Sequence, residues 1–267
     1  MTGAYDILLR MHPLLRLRRK YYWYKCLLKR NTTSRACILC GNAQFSAKIE
    51  KDRYALPISI MSCDSCGLVM QQPFPTEKFL NYFYESGMYH GLYGRKKQPK
   101  GYDLEQQELK QRINVGHITS LNPRPDFSLL DYGTGNGSFL DALKKKFPQS
   151  SLVGIEPNQA YFEKQNVEKK FDFITLFMVL EHVYDPIKTL RDLAQRLSEN
   201  GRIILEVPDL EKADSMRFYH IAHVFYFTHD TFKRVAEKAG LKILQEETEN
   251  RVSAQGMRFV LAASPKT

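Results

Sequence analysis

The sequence lacks long hydrophobic runs. Although 43% of its 267 residues are hydrophobic, no apolar stretch approaches the roughly 18 residues of a membrane-spanning helix. The N-terminus also lacks the order of basic, apolar and small residues that marks a secretory signal peptide. We therefore expect a protein of the reducing cytoplasm, where paired cysteines indicate a metal site rather than a disulfide.

Acidic residues are scarce at the start of the chain. Residues 1–35 contain nine Lys or Arg and one acid, Asp6, whereas the rest carries 30 basic and 28 acidic residues. Leucines and aromatics alternate with these charges, which predicts a basic amphipathic arm. Such an arm can pack on the protein body, lie on the inner face of a membrane as a peripheral contact, or bind a nucleic-acid backbone; nucleic acid is the least favoured partner because the body is nearly neutral.

Cysteine is absent after residue 66, and four of the five cysteines form two C-x-x-C pairs. The pairs are Cys37 with Cys40 in "CILCG" and Cys63 with Cys66 in "CDSCG". The glycine after each pair permits the positive φ of a tight turn. Four thiolates satisfy tetrahedral Zn²⁺ and leave no open position, so we expect a structural zinc site. Cys26 is left over and is interpreted as a buried or idle thiol.

The pattern along the chain divides it into four segments. After the arm, residues 36–75 form a zinc-ribbon-like module, 76–125 a helical linker or lid, and 126–267 a domain in which strand and helix signals alternate. Alternation predicts an α/β fold with a mostly parallel sheet covered on both faces. In its fourth segment, Asp185 is expected to cap a helix that Gly201 ends.

The stretch "LLDYGTGNGSFL" marks the expected ligand site. Gly133, Gly135 and Gly137 lie at a turn from strand to helix, where a ligand can approach the backbone. Their spacing differs from the G-x-G-x-x-G of dinucleotide sites, and Asp131 would repel a pyrophosphate but suits a cationic or amine group. Glu156, which ends the next strand, can accept hydrogen bonds from ribose hydroxyls. An acid facing an ammonium and another facing a ribose describe S-adenosylmethionine.

From Asp131 onwards the chain resembles the class I S-adenosylmethionine-dependent methyltransferases. The matching stretches include "LLDYGTGNGSFL", "VGIEPN", "FDFITLFMVLEHVYDP" and "LSENGRIILEVPD". The resemblance implies a Rossmann-like fold in which Asp131, Gly133 and Gly135 line the methionine end of the cofactor. It places Phe177 and Met178 beneath the cofactor. Residues 36–125 resemble the zinc-ribbon preface of a subgroup that is associated with sugar, polysaccharide or natural-product methylation.

Two stretches depart from the family pattern. Only residues 157–170 separate Glu156 from the third strand, where the family fits a helix and a strand, so the sheet is expected to be one strand short. The sugar C-methyltransferases of the subgroup carry Tyr-x-Glu-His, whereas this chain has His220-Ile221-Ala222-His223. That difference favours methyl transfer to oxygen or nitrogen.

Histidines are the candidates for catalysis because a hydroxyl acceptor needs a base. His223 stands where the family places the substrate, His182 follows the third strand in "LEHV", and His220 is a third candidate; each can instead be a structural histidine. Glu181 is expected to order a loop or a helix start rather than to act as a base.

The function that these signals favour is methylation of a small-molecule, glycan or lipid-linked acceptor. Amino methylation of DNA bases is disfavoured because "LFMVLEH" replaces the Asn/Asp-Pro-Pro-aromatic motif, and cytosine C5 methylation because no cysteine lies near the cofactor loop. An RNA methyltransferase is the first alternative, since zinc ribbons also precede rRNA-modifying enzymes. A non-catalytic scaffold with a shortened fold is the second.

Overall fold

The computed structural model describes residues 13–93, 102–156, 169–212, 218–247 and 256–264. The chain forms two compact units. Unit 1 takes its described residues from Met1–Arg95, Glu181–Tyr184 and Pro208–Arg234. Unit 2 takes its described residues from Lys96–Leu180, Asp185–Val207 and Val235–Thr267.

Helix α1 (Pro13–Lys29) of unit 1 forms part of the basic arm. One face of α1 packs on α3 (Met88–Tyr93), because the ring of Tyr22 lies where a Cβ on Gly91 would come within 2.4 Å of it. Between them in the chain lies α2 (Glu77–Glu85), which Thr76 caps by accepting the N–H of Phe79. In the part of the chain that the structure describes, no helix is both long and apolar enough to cross a membrane.

The strands of unit 1 form two small antiparallel sheets. The strands of the larger sheet are β2 (Phe45–Lys51), β3 (Pro57–Cys63), β4 (Val69–Gln71) and β10 (Phe225–Tyr226). Their order is β10-β4-β3-β2, and each strand pairs with its neighbours in this order. The second sheet pairs β1 (Thr32–Thr33) with β5 (Phe74–Pro75). Strand β10 comes from a distant part of the sequence, so unit 1 is more than the N-terminal third of the chain.

Unit 2 contains a sheet of six described strands in the order β11-β12-β9-β8-β6-β7. Neighbours among β7, β6, β8 and β9 pair in parallel, and β11 pairs with β12 in antiparallel fashion. This parallel-rich sheet confirms the predicted α/β class. The strands are β6 (Ser128–Tyr132), β7 (Ser151–Ile155), β8 (Phe171–Phe177), β9 (Leu197–Pro208), β11 (Leu241–Glu247) and β12 (Gly256–Ala263).

Helices accompany this sheet as the alternating pattern predicts. They are α4 (Tyr102–Ser120), α5 (Ser138–Lys146), α6 (Pro186–Ala194) and α7 (His229–Lys238). The buried core of unit 2 joins the inner face of α4 and α5 to the sheet. Its members are Val115, Ile118, Phe127, Leu129, Phe139, Leu143, Phe173, Ile204 and Val260.

The prediction that Gly201 ends a helix is wrong. Asp185 caps α6 as expected, since its side chain accepts the N–H of Lys188, but the helix is already over at Ala194. Gly201 lies inside β9, where an added Cβ would be 2.9 Å from the carbonyl oxygen of Phe171. The glycine is therefore explained by close approach to the neighbouring strand and not by a helix terminus.

The short segment between Glu156 and β8 falls largely on residues 157–168, which lie outside the described residues. The expected loss of one strand therefore stays a prediction. Within the described ranges, β7 is the last strand at its edge of the sheet.

Candidate functional site

Asp131 lies in β6 and is 4% exposed. Its Oδ1 accepts a 2.7 Å hydrogen bond from the hydroxyl of Thr175 on the neighbouring strand β8. Burial raises the pKa of Asp131 to about 6, although hydrogen bonds from Thr175 and Thr134 oppose the shift. A buried carboxylate at the end of a strand is prepared to pair with a cationic group that replaces lost solvation.

The loop after β6 is built around backbone hydrogen bonds to β7. The N–H groups of Gly133 and Thr134 both donate to the carbonyl oxygen of Ile155, over 2.7 and 3.2 Å. Gly133, Gly135 and Gly137 all have positive φ, between 58° and 88°. A Cβ on Gly133 would meet Val179 at 2.3 Å, whereas Cβ atoms on the other two glycines would meet nothing within 4 Å. The last two glycines therefore leave open space beside the backbone.

Glu156 follows β7 and contacts the same loop. Its Oε1 accepts the N–H of Gly135 over 2.5 Å. Two residues before Glu156, Gly154 makes room for the loop, because a Cβ there would lie 2.6 Å from the hydroxyl of Thr134. Since β6 and β7 are adjacent and parallel, the structure brings together the two acids and the three glycines that the sequence singled out.

Phe177 and Met178 lie where β8 ends, beside β6. The ring of Phe177 packs edge-on against Phe139 of α5, with 5.2 Å between ring centroids. Met178 has a φ of 59° and donates its N–H to the carbonyl oxygen of Glu206 over 2.8 Å. A positive φ is costly for a residue with a side chain, so the turn after β8 is held in place by its neighbours.

A buried ion pair near Phe177 was missed in the sequence. Arg258 is 2% exposed, pairs with Glu206 and donates a 2.9 Å hydrogen bond to Asn114. Burial lowers the pKa of Arg258 to about 10, and its Nε and Nη1 have no hydrogen-bond partner within the described ranges. The available signal was one arginine in the apolar strand "GMRFVLAA".

The three candidate histidines lie together in unit 1. The ring centroids of His220 and His223 are 3.7 Å apart, and those of His182 and His223 are 4.7 Å apart. Burial lowers the pKa of His182 to about 4, and it also lowers the pKa values of His220 and His223. Burial thus favours the neutral form of each imidazole.

Polar groups of unit 1 hold the segment that carries His220 and His223. The side-chain amide of Gln71 donates to the carbonyl oxygens of Ile221 and His223, over 2.9 and 2.7 Å. The hydroxyl of Tyr93 accepts the N–H of Ile221, and its ring lies 4.7 Å from that of His220. The positions of the rings are therefore fixed from β4 and α3.

The four paired cysteines also come together. The Sγ atoms of Cys37 and Cys66 are 3.3 Å apart, and those of Cys40 and Cys63 are 3.5 Å apart. The glycine after each pair has the expected positive φ, which closes two similar turns. This zinc-ribbon-like cluster can offer four thiolates to one ion. Cys26 is buried elsewhere, and burial raises its pKa to about 12.

A family model described as a methyltransferase domain matches residues 95–246. The chain belongs to this methyltransferase family. The match confirms the resemblance that begins at Asp131, and the parallel-rich sheet of unit 2 is typical of the class I methyltransferase fold. S-adenosylmethionine is the cofactor that this fold implies, and the two acids and open glycines fit its charged and hydroxyl groups.

Two sequence relatives of this methyltransferase are tRNA U34 carboxymethyltransferases. The one from Aliarcobacter butzleri (strain RM4018) is 24% identical over 194 residues, which cover 61% of this chain and 64% of that protein. The one from Helicobacter hepaticus (strain ATCC 51449 / 3B1) is 42% identical over 55 residues, 21% of this chain and 17% of that protein. In both cases the match covers less than two thirds of the relative's length.

Solved methyltransferase structures are similar at low sequence identity. A Haloferax volcanii methyltransferase in complex with the activator Trm112 is 15% identical, with 61% of this chain and 95% of that chain covered and a TM-score of 0.45. CalO1, a methyltransferase in calicheamicin biosynthesis, is 12% identical, with coverages of 68% and 60% and a TM-score of 0.47.

Proposed function

We propose that the protein is an S-adenosylmethionine-dependent methyltransferase that methylates oxygen or nitrogen of a small-molecule, glycan or lipid-linked acceptor. The observation that carries the proposal is the convergence of Asp131 and Glu156 on one glycine loop at the ends of two adjacent parallel strands. In open α/β sheets this edge is where ligands bind.

Each residue of this site has a task that follows from its position. Asp131 pairs with the amino group at the methionine end of the cofactor, and Glu156 exchanges its bond to Gly135 for the ribose hydroxyls. Gly135 and Gly137 leave room for the cofactor, and Phe177 and Met178 lie beneath it. When bound, the cofactor would supply an activated methyl group: a lone pair of the acceptor would attack the methyl carbon in line while the carbon–sulfur bond breaks and the thioether leaves. The protein mainly positions the partners, because the donor is already activated.

An acceptor hydroxyl or amine must lose a proton when it is methylated. Our candidates for contacting the acceptor are His223, His182 and His220. The ring of His223 contacts those of His182 and His220, and the turn that carries His182 begins two residues after Met178 in the chain. Alanine at each position should lower kcat while cofactor affinity is retained. Loss of cofactor affinity instead would indicate a structural role.

Helix α1 has an exposed apolar and basic surface that suits contact with a membrane, where a lipid-linked acceptor would be bound. Five of its seven exposed leucines and tyrosines recur every three or four residues and form one stripe along the helix. Six Lys or Arg and no acid occupy the same helix, so a second copy of it would be repelled and an anionic surface attracted. We therefore propose that α1 rests on the inner face of a membrane. The stripe consists of Leu14, Leu17, Tyr21, Tyr24 and Leu28.

RNA is the second candidate acceptor. The proposal is supported by the two relatives named tRNA U34 carboxymethyltransferase and by the basic charge of α1, which suits a phosphate backbone. Salt-dependent retention of tRNA by the full chain, lost when the cations of α1 are changed to alanine, would place RNA first.

Zinc is the ion that we propose for Cys37, Cys40, Cys63 and Cys66, in a structural role. A closed set of four thiolates leaves no position for a substrate. We retain 1–35, 36–75, 76–125 and 126–267 as the proposed domain organisation of the sequence.

The function is tested by incubating the full chain with S-adenosylmethionine labelled with tritium in its methyl group and a fractionated cell extract. Label in the lipid, glycan or small-molecule fraction supports the leading proposal, and label in RNA supports the second. Calorimetry with the unlabelled cofactor is the companion measurement. Absence of binding at millimolar cofactor would reject both and support a scaffold.

A further inference from the structure

Glu181, His182 and His223 bring three metal-ligand atoms together in unit 1. One side-chain atom from each residue lies within 4.8 Å of the other two. The Nε2 atoms of His182 and His223 both approach the same carboxylate oxygen, Oε1 of Glu181, at 3.8 Å. Glu181 is 1% exposed and His223 is 7% exposed, so this convergence is not a feature of a solvated surface.

The hydrogen bond on the far side of His182 fixes which nitrogen carries its proton. Nδ1 of His182 lies 2.8 Å from the carbonyl oxygen of Ala222. A carbonyl oxygen only accepts, so Nδ1 must be the donor and Nε2 of the neutral ring carries a lone pair. Nε2 of His182 lies 3.8 Å from Oε1 of Glu181, which is too far for a hydrogen bond between them. A metal ion placed between the two atoms can bind both.

The same hydrogen bond is the support that metal-binding histidines commonly have. A ligating imidazole usually donates its other N–H to a carbonyl or carboxylate, which orients the ring. The ligand-bearing segments are also tied to each other, because Val224 donates its N–H to the carbonyl oxygen of Glu181 over 2.9 Å. Gln71 anchors His223 from β4. The three donors are thus positioned by the protein before any ion arrives.

We propose that Glu181, His182 and His223 bind a first-row divalent cation. Two imidazoles and one carboxylate are a donor set that Zn²⁺, Fe²⁺, Co²⁺ and Mn²⁺ accept, with open positions for an oxygen or nitrogen ligand. Two ligands of one such ion can be at most about 4.2 Å apart, twice a metal–nitrogen distance of about 2.1 Å. The two 3.8 Å separations already satisfy this limit.

The site is distinct from the four-cysteine cluster. It shares His182 and His223 with the proposed acceptor site, but its metal binding is measured without methyl transfer. It has nitrogen and oxygen donors and open positions, whereas the cysteine set is closed. Asp209, Glu211 and His229 also gather in unit 1, with Nε2 of His229 3.3 Å from Asp209. Glu211 is exposed, which makes that set the weaker one, and the experiment separates the two.

The test is a titration of the full chain with Co²⁺ after metal removal under reducing conditions. The cysteine cluster should give thiolate-to-cobalt charge transfer in the near ultraviolet. The proposed site should add a second equivalent that produces d–d bands without charge transfer. Glu181→Gln and His223→Ala should each weaken the second equivalent by about 100-fold or more, since changing a supporting residue alone costs 10–100-fold.

Two controls make the result decisive. His229→Ala should leave both equivalents unchanged. Circular dichroism of each variant establishes that it is folded before the titration. Binding of a single equivalent by the folded wild-type chain would overturn the proposal. A second equivalent that is lost in His229→Ala but kept in Glu181→Gln would overturn it as well.

Discussion

Gly135 donates its backbone N–H to Oε1 of Glu156 over 2.5 Å. The acid that the sequence assigns to a ribose is therefore already engaged with the glycine loop. A ribose hydroxyl that binds this oxygen in place of Gly135 replaces one hydrogen bond with another. Such an exchange keeps the carboxylate satisfied in both states, so its orientation is preserved before the cofactor arrives.

Glu156→Gln should weaken cofactor binding without unfolding the protein. The amide keeps an acceptor oxygen but loses the charge, and hydrogen bonds to charged groups contribute about 1.5–3 kcal/mol. We expect affinity for S-adenosylmethionine to fall roughly 10- to 150-fold in calorimetry. An analogue that lacks both ribose hydroxyls should bind the variant and the wild type equally. A large difference with that analogue would contradict the ribose assignment.

Cofactor binding should depend on pH through Asp131. The pKa of the free carboxyl is raised to about 6, and a cationic partner requires the ionised form. Below pH 6 binding must first release a proton, so affinity should fall about tenfold per pH unit there and level off above pH 7. Calorimetry between pH 5 and 8 measures this. Asp131→Asn should bind weakly with a flat profile, whereas Asp141→Asn, at an exposed position of α5, should behave as wild type.

Alanine at Gly133 should mainly lower the stability of the fold, whereas alanine at Gly135 should mainly lower cofactor affinity. Gly133→Ala places a Cβ 2.3 Å from Val179 at a φ of 88°, so the fold should lose more than the ~1–2 kcal/mol of left-handed strain alone. Gly135→Ala meets nothing within 4 Å, so it should cost about that strain energy but block the cofactor. Urea unfolding and cofactor titration separate the two. Equal binding loss at similar stability would argue against open cofactor space at Gly135.

Removal of zinc should unfold the sheet that carries the cysteine pairs. Structural zinc contributes about 10–16 kcal/mol in zinc-finger peptides, so a strong chelator should make amides of β2 and β3 exchange as in an unfolded segment. Hydrogen exchange followed by mass spectrometry measures this, and added Zn²⁺ should restore protection. Cys40→Ser should reproduce the loss. Cys26→Ser is the control, because that thiol is buried apart from the cluster.

Helix α1 should direct the protein to anionic vesicles. Its stripe residues are 54–69% exposed, and cations near such a surface contribute about 1 kcal/mol each. The double variant Leu17→Glu with Leu28→Glu should lose co-sedimentation with phosphatidylserine vesicles. The control places the same change at exposed leucines of unit 2, Leu104 and Leu244. Equal partition of both double variants, or binding to neutral phosphatidylcholine alone, would reject the membrane contact.

Much of unit 2 was predictable because its signals are local. Buried strands with a following glycine turn fixed the positions of Asp131 and Glu156, and parallel pairing then had to bring them to one edge. Gly201 was misassigned because a helix stop and a tight strand contact both favour glycine. Only the packing of β9 against Phe171 distinguishes them.

Long-range contacts explain what the sequence did not reveal. The sequence identified each histidine separately. That Glu181 joins His182 and His223 in one cluster depends on contact between chain segments about 40 residues apart. Arg258 and Glu206 are 52 positions apart, and no local pattern relates them. The division into two units likewise depends on Glu181–Tyr184 and Pro208–Arg234 joining the N-terminal region.

Gly154 has a consequence for reading natural variation in such proteins. A methyl group on residue 154 would lie 2.6 Å from the hydroxyl oxygen of Thr134 and 2.8 Å from Leu140, so the glycine loop would have to move. A homologue with a larger residue at this position would thus lose its S-adenosylmethionine pocket even if it kept every residue expected to contact the cofactor. Screening homologues for decayed enzymes should therefore begin at position 154, before the two acids and the loop glycines are compared.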